Sequence, residues 1–131
     1  MASAELTVLG LAALLQAVQM GLAGWSMNRD VGAEWNAGPR DDTPRLSALT
    51  GRLRRAVDNH FEGLILFAVA VILISRTGGG NGLTAACAWA YLLARIAYLP
   101  AYAFGWTPWR SLIWAVGFLA TFTMIIYALF T

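Results

Sequence analysis

The sequence predicts an all-α integral membrane protein, a bundle of four transmembrane helices in one domain. Hydrophobic residues make up 59% of the 131 residues and charged residues only 12%, whereas a soluble domain has about 45–50% and about 25%. The chain also contains four apolar segments that, as helices of roughly 20 residues, can cross a hydrocarbon core of about 30 Å. Composition therefore excludes a disordered chain, a fibrous protein and a disulfide scaffold.

The first and last segments are uninterrupted by charge, over residues 6–28 and 111–131. They predict helices at about 5–28 and 109–131, the latter after the helix breakers Gly105 and Pro108. The N-terminus lacks the positively charged region of a secretory signal, so the first segment is expected to stay in the protein.

The uncharged part of the second segment is too short to span the membrane alone. Only thirteen uncharged residues separate Glu62 from Arg76, which is about 20 Å of helix and too short for the bilayer core. The helix must therefore continue backwards through Glu62 and Asn59. We predict a helix at about 44–76, with Thr43 as N-cap and Pro44 at the first helical position.

The third segment predicts a helix at about 82–104, with Arg95 inside it. Residues 29–43 are rich in Asn, Gly, Pro and Asp and are expected to form a true loop. The glycine-rich run 77–82 is a tight connection and not a phosphate-binding loop, because no Gly-Lys-Ser/Thr follows it.

The arginines predict the orientation, because cytoplasmic loops are enriched in positive charge. All nine cations are arginine, and six lie in or beside the first loop: Arg29, Arg40, Arg45, Arg52, Arg54 and Arg55. Arg110 lies on the same side and Arg76 alone on the other. We expect the first and third loops to be cytoplasmic and both termini outside, and the lack of a targeting signal suits a bacterial inner membrane.

Two polar stripes follow helical spacing, and ionisable groups inside a membrane indicate a functional site. The stripe on the second helix has spacings of 3, 4 and 3, and consists of Arg52, Arg55, Asn59 and Glu62. The stripe on the third helix has spacings of 4, 3 and 4, and consists of Tyr91, Arg95, Tyr98 and Tyr102. Arg110 and Ser111 stand where the fourth helix begins. The two stripes are expected to face each other.

These residue types favour a small zwitterion with more than one carboxylate. Arginine binds carboxylates through two parallel hydrogen bonds, Glu62 favours an amine, and tyrosines add hydroxyl donors on an apolar wall. An alternative stays open, in which Glu62 pairs with Arg55 or Arg95 and only holds the bundle together.

The remaining polar residues are assigned to packing. His60 is the only histidine and Cys87 the only cysteine, so we predict no metal site. Gln16 and Gln19 are expected to form hydrogen bonds between helices. A nucleic-acid partner is not expected, because several arginines adjoin long apolar runs.

The sequence resembles a known family at the polar stripes. Residues 52–62, Arg-Leu-Arg-Arg-Ala-Val-Asp-Asn-His-Phe-Glu, resemble the Arg-Ala-x-x-Asn-x-x-Glu signature of MAPEG proteins, the membrane-associated proteins in eicosanoid and glutathione metabolism. Residues 95–102, followed by Arg110-Ser111, resemble their second signature in the form found in the bacterial branch. The resemblance spans all four helices.

The resemblance implies a homotrimer that binds glutathione between subunits near the cytoplasmic face. It implies that glutathione contacts Arg52, Arg55, Asn59, Glu62, Arg95, Tyr98 and Tyr102. Arg110 matches an arginine that stabilises the thiolate, and Ser111 a serine that partners the thiol. Arg29 or Arg40 matches a further basic group. Two residues depart from the pattern of some relatives. Asp58 is acidic where some relatives have a basic or neutral residue, and its charge would repel a carboxylate; Gly63 stands where some have an aromatic residue.

The implied activity is that of a glutathione-dependent transferase or peroxidase. The glutathione thiolate would attack a lipophilic electrophile or hydroperoxide that arrives from the bilayer. The alternative is a non-catalytic membrane protein that binds glutathione or a lipid. A four-helix multidrug transporter is disfavoured, because such a protein needs an acidic residue midway along its first helix and Glu5 lies only at the edge.

Overall fold

The computed structural model describes residues 3–42 and 44–131 and is helical throughout, with no strand in that part of the chain. Four long helices and one short one follow in order: α1 Ala4–Val31, α2 Ala33–Ala37, α3 Ala48–Arg76, α4 Gly82–Ala103 and α5 Trp109–Phe130. The four long helices are each long and apolar enough to cross a membrane. The prediction of a four-helix membrane bundle is confirmed.

The start of α3 differs from the prediction. The helix begins at Ala48, not at about 44, and Pro44 lies outside it. Ser47 is the N-cap, and its hydroxyl accepts a hydrogen bond from the Thr50 backbone N–H at 3.2 Å. Asp30 at the end of α1 accepts a hydrogen bond from the Ser47 backbone N–H at 2.8 Å. This contact with α1 fixes the start of α3 at Ser47; the predicted cap, Thr43, lies outside the described residues.

The first connection is shorter than predicted. Residues 29–31 continue α1, which ends at Gly32 with φ 88°, and residues 33–37 form α2. The left-handed backbone at Gly32 ends the helix, because residues with a Cβ rarely adopt it. A side-chain hydrogen bond from Asn36 to Asn28 then holds α2 against α1. Helices α4 and α5 each end one residue before the predicted boundary.

The four long helices run up and down and pack with small residues between them. Pairs such as Gln16 with His60 and Ser26 with Thr50 join α1 and α3 in antiparallel order. Helix α4 packs against α1, α3 and α5. Buried alanines let the helices approach closely, and the largest core side chains include Phe67, Tyr91, Ile74 and Met124. The rings of Phe67 and Tyr91 stack with centroids 4.0 Å apart.

Much of the outer surface is apolar. Only 28–39% of the most apolar window of each long helix is buried within one chain. Large side chains such as Leu14, Ile72, Leu93 and Leu129 are exposed on α1, α3, α4 and α5. An apolar surface on this scale suits contact with lipid tails or with other membrane helices.

We predict that Ser47→Ala lowers the free energy of unfolding by about 1 kcal/mol, because it removes the N-cap of α3. Ser75→Ala is the matched control, since Ser75 is an exposed serine at the other end of the same helix. Thermal unfolding in detergent measures both. A larger loss from Thr43→Ala than from Ser47→Ala would instead support the start of the helix at residue 44.

Candidate functional site

Most of the predicted site residues meet at the end of the bundle where α3 begins and α4 ends. Helical spacing on α3 aligns Arg52, Arg55 and Asn59, and spacing on α4 aligns Tyr98 with Tyr102. The short connection between α4 and α5 brings the first turn of α5, with Arg110 and Ser111, to the same level. The stripes on α3 and α4 therefore face each other as expected, and α5 completes the group.

Tyr102 is the centre of this group. Arg55 donates a hydrogen bond from Nε to the Tyr102 hydroxyl at 3.0 Å, and its guanidinium carbon lies 5.8 Å from the ring centroid. The guanidinium carbon of Arg110 lies 4.9 Å from the same centroid. The Tyr102 ring thus lies near two guanidinium groups from different helices. Their cation–π attraction to the ring offsets part of the repulsion between the two positive charges. The paired positive charges attract an anion.

An open cavity adjoins this arrangement. We call it the tyrosine cavity; its volume is about 320 Å³, and it is lined by Asn59, Tyr98, Tyr102, Arg110, Ser111 and Trp114. Small-molecule sites have volumes of about 300–1,000 Å³ and combine apolar walls with a few polar groups. The volume of the tyrosine cavity lies in this range, but its walls are more polar, with a guanidinium, two phenols, a hydroxyl and an amide beside the Trp114 ring.

Arg95 lies behind the tyrosine cavity. Its side chain is only 3% exposed, donates from Nη1 to Asn59 Oδ1 at 2.9 Å and places its guanidinium carbon 4.4 Å from the Tyr98 ring centroid. The hydrogen bond turns the oxygen of the Asn59 amide towards Arg95. Arg95 therefore supports two residues of the cavity wall without lining the wall.

Arg95 instead lines a second cavity, on the other side of Asn59. We call it the arginine cavity; its volume is about 150 Å³, and it is lined by Asn59, Glu62, Gly63, Leu66, Tyr91, Arg95, Trp114, Gly117, Phe118 and Thr121. Asn59 and Trp114 line both cavities, so the two are neighbours. Glu62 is exposed and faces this second cavity.

The alternative, in which Glu62 pairs with Arg55 or Arg95, is not seen in the hydrogen bonds of these two arginines. Arg55 donates to Tyr102 and Arg95 to Asn59, which are both uncharged. Arg52 donates from Nη1 to the Ala103 carbonyl at 3.4 Å. This carbonyl lies at the C-terminus of α4, where a cation is favourable. Arg52 is therefore turned towards the end of α4.

Sequence reasoning missed Trp114. It stands in an apolar segment, where a tryptophan is typical of a lipid-facing surface. The signal that could have found it is its spacing of four residues from Arg110 and three from Ser111, which places all three on one face of α5.

Other side chains lie away from the tyrosine cavity. Asp58 lines a separate cavity of about 300 Å³ between α1, α2 and α3, together with Arg40 and Arg54. Arg29 stacks over the Trp25 ring, with its guanidinium carbon 4.9 Å from the centroid. Asp58 therefore does not line the tyrosine cavity, where its charge would repel a carboxylate.

The residues assigned to packing form hydrogen bonds between helices or lie in the core. His60 is fully buried, and its Nδ1 lies 2.6 Å from Gln16 Oε1. Gln19 is also buried on α1, but its Oε1 has no hydrogen-bond partner in the described part of the chain, so the hydrogen bond predicted for Gln19 is not seen within one chain. Cys87 packs against the core cluster. Within residues 3–42 and 44–131, no three His, Cys, Asp or Glu side chains are grouped to hold a metal ion.

Comparison with protein families adds an independent finding. The model of the MAPEG family matches residues 6–130, which is nearly the whole chain and includes all four long helices. A search of curated proteins finds no match.

Proposed function

Because the chain belongs to the MAPEG family, we propose that it binds glutathione at the tyrosine cavity and uses the thiol as a nucleophile. The acceptor would be a lipophilic electrophile or hydroperoxide, so the protein would be a membrane transferase or peroxidase. The observation that carries the proposal is the pair of guanidinium groups, from Arg55 and Arg110, that both lie near the Tyr102 ring.

Glutathione has two carboxylates, an amine and a thiol, and the site offers a partner for each. Arg55 would bind a carboxylate, as guanidinium groups do through paired hydrogen bonds. Glu62 would bind the amine from the neighbouring arginine cavity, which it lines together with Asn59. The Asn59 amide and the hydroxyls of Tyr98 and Tyr102 would bind the peptide groups. Arg52 would take part by turning from the Ala103 carbonyl, and Arg95 would act through Asn59 and Tyr98.

Arg110 would supply the chemistry at the thiol. A thiol with a pKa of ~8.5 is only a few per cent ionised at neutral pH, and a guanidinium nearby lowers that pKa. Each unit of lowering corresponds to about 1.4 kcal/mol of stabilisation of the thiolate. Ser111, one residue further on the same helical turn, would donate a hydrogen bond to the sulfur. The protein contributes position and charge, and the thiolate attacks the acceptor.

The site is open within one chain, which supports a homotrimer with glutathione between neighbours. Arg55 and Glu62 are both exposed, although one would bind a carboxylate and the other an amine of the same ligand. A neighbouring subunit would cover them and would bring its own first connection, with Arg29 and Arg40, towards the ligand. The exposed apolar faces of the long helices would supply the contact area.

The proposed orientation places the site at the cytoplasmic face. The arginines of the first connection and Arg110 lie at the end of the bundle that holds the tyrosine cavity. Positive loops stay in the cytoplasm, where the glutathione pool is found. The termini would then lie outside, and a bacterial inner membrane is the proposed location.

The experiment that tests the proposal is a glutathione titration of the detergent-purified protein, followed by the ultraviolet absorbance of the thiolate. We expect saturable binding with a thiolate signal at neutral pH. Binding without that signal would support the non-catalytic alternative. The absence of binding would contradict the assignment of glutathione to this site.

We predict that Arg110→Ala lowers turnover by on the order of 100-fold or more, because it removes the charge that stabilises the thiolate. Assembly should be preserved, since Arg110 contributes a ring contact and no core packing. Turnover with a model electrophile and the oligomer mass are measured together. Arg76→Ala, at the opposite end of the bundle, is the matched control. Unchanged turnover would remove Arg110 from the mechanism.

We predict that Glu62→Gln weakens glutathione binding by about tenfold. Hydrogen bonds to charged groups are worth about 1.5–3 kcal/mol, and tenfold in affinity is about 1.4 kcal/mol. Titration of both proteins with glutathione and with N-acetylated glutathione isolates the amine, since only the first ligand should distinguish them. Glu34→Gln on α2 controls for the loss of one negative charge. Equal glutathione affinity in the Glu62 variant would refute the role of Glu62 as the amine partner.

A further inference from the structure

The connection between α4 and α5 packs little against the rest of the chain. Residues 104–109 are all exposed, and they stand between the buried Ala103 and the half-buried Arg110. Exposed side chains contribute little burial of apolar surface, and such segments open easily. The position of this connection therefore depends on its hydrogen bonds and on the contacts that reach it from other helices.

Arg52 is the side chain that reaches the connection from α3. Its Nη1 donates a hydrogen bond to the Ala103 carbonyl at 3.4 Å. The same guanidinium lies along Gly105, because a Cβ built there would have three guanidinium atoms of Arg52 as its nearest neighbours, at 3.5–3.6 Å. Gly105 has φ 67°, which is the left-handed conformation that ends a helix. Arg52 thus contacts α3's neighbour at the point where α4 ends and the connection begins.

Backbone hydrogen bonds link this point to Arg110. The Trp106 N–H donates to the Ala101 carbonyl at 2.8 Å, and the Trp106 carbonyl accepts from the Arg110 N–H at 2.9 Å. The end of α4, the connection and the first turn of α5 are therefore one hydrogen-bonded unit. A movement of the connection would move Arg110, whose guanidinium carbon lies 4.9 Å from the Tyr102 ring centroid.

The contact of Arg52 with the connection competes with its contact with a ligand. In the proposed function, Arg52 binds glutathione only after turning from the Ala103 carbonyl. Binding of a carboxylate therefore removes the contact that α3 makes with the connection. Because such coupling is reciprocal, a ligand that weakens the contact is itself bound more weakly when the contact is strengthened.

We propose that Arg52 is a positioning residue that couples glutathione binding to the position of Arg110. Without ligand, Arg52 holds the connection and Arg110 stays at the Tyr102 ring. A carboxylate of glutathione draws the Arg52 guanidinium away, and the released connection lets Arg110 approach the sulfur. This inference rests on the proposed function and adds a specificity to it: the thiol is activated when a carboxylate of the same molecule is bound.

Amide hydrogen exchange at residues 104–111 of the detergent-purified protein, read by mass spectrometry, measures how firmly the connection is held. Without glutathione, Arg52→Gln should raise the exchange rate by about threefold or more, the effect of one hydrogen bond. Arg76→Gln is the matched control, since it removes an exposed arginine at the other end of α3. Unchanged exchange in Arg52→Gln would overturn the proposal, because there would be no contact to release.

Glutathione should have the same effect on the unchanged protein. At saturation, exchange at residues 104–111 should rise towards the rate of Arg52→Gln, and glutathione should add nothing further in that variant. Glutathione diethyl ester, which keeps the thiol and loses both carboxylate charges, should leave the exchange rate as it is. Slower or unchanged exchange in the presence of bound glutathione would mean that Arg52 keeps its place, which contradicts the coupling.

Two substitutions of equal size at position 105 test the coupling from the other side. Asparagine and aspartate both tolerate the left-handed backbone, but only aspartate forms an ion pair with Arg52. Gly105→Asp should therefore exchange more slowly than Gly105→Asn and bind glutathione about threefold or more weakly. The same two substitutions at Gly78, which has φ 108° and open space around it at the opposite end of the bundle, are the matched controls.

A double-mutant cycle separates the coupling from simple repulsion between the new carboxylate and the ligand. In the Arg52→Gln background, Gly105→Asp and Gly105→Asn should bind glutathione equally, because no guanidinium is left to hold. A difference that persists without Arg52 would show repulsion alone and would overturn the proposal.

The pH midpoint of the thiolate absorbance is the readout that a merely structural role would not explain. Arg52→Gln should weaken glutathione affinity, yet at saturation its midpoint should equal that of the unchanged protein, because Arg110 is released in both. A higher midpoint would mean that Arg110 works only while the connection is held, which is the opposite of the proposal. If glutathione does not bind at all, the proposed function fails and the coupling with it. If glutathione binds with a thiolate signal and exchange does not rise, the coupling alone fails.

Discussion

The hydrogen bond from Arg95 to Asn59 is the contact on which both cavities depend. It joins α4 to α3 at the depth where the two polar stripes meet, and Asn59 forms a wall of each cavity. Because the Arg95 guanidinium also packs on the Tyr98 ring, one buried cation orients an amide and a phenol of the tyrosine cavity. The Arg95 side chain also lines the arginine cavity. One buried cation thus supports the wall of one cavity and forms part of the wall of the other.

The register of α3 depends on a row of polar contacts with α1. Asp30 accepts from the Ser47 backbone, Ser26 and Thr50 are hydrogen-bonded, and Gln16 contacts His60. Sliding the two helices by one turn would break every pair and leave buried polar groups unpaired in a medium without water. This row therefore fixes which face of α3 meets α4, and with it the direction of the stripe that carries Arg55 and Asn59.

Hydrophobic length and helical spacing were enough to predict the four long helices and the facing stripes. They were not enough to predict the start of α3, because Thr43 and Ser47 are both good N-caps and only the contact with Asp30 distinguishes them. Spacing also gives the face of a helix but not the direction of a long side chain. Arg52 could therefore turn to the Ala103 carbonyl, and Arg95 could lie behind the cavity wall. Trp114 was missed because it stands in an apolar segment, where only its spacing from Arg110 and Ser111 distinguishes it from a lipid-facing residue.

The two residues that depart from the family pattern affect different parts of the molecule. Asp58 lies in a cavity with Arg40 and Arg54, away from the tyrosine cavity, so its charge faces two arginines. Gly63 is one residue beyond Glu62 and adjoins the Tyr91 hydroxyl. An aromatic side chain there would extend towards that hydroxyl and close the cavity in front of Arg95. The glycine therefore leaves the arginine cavity open beside Tyr91. The tyrosine cavity and the arginine cavity thus lie next to each other with different polar side chains on the same pair of helices, and they share Asn59 and Trp114 as walls.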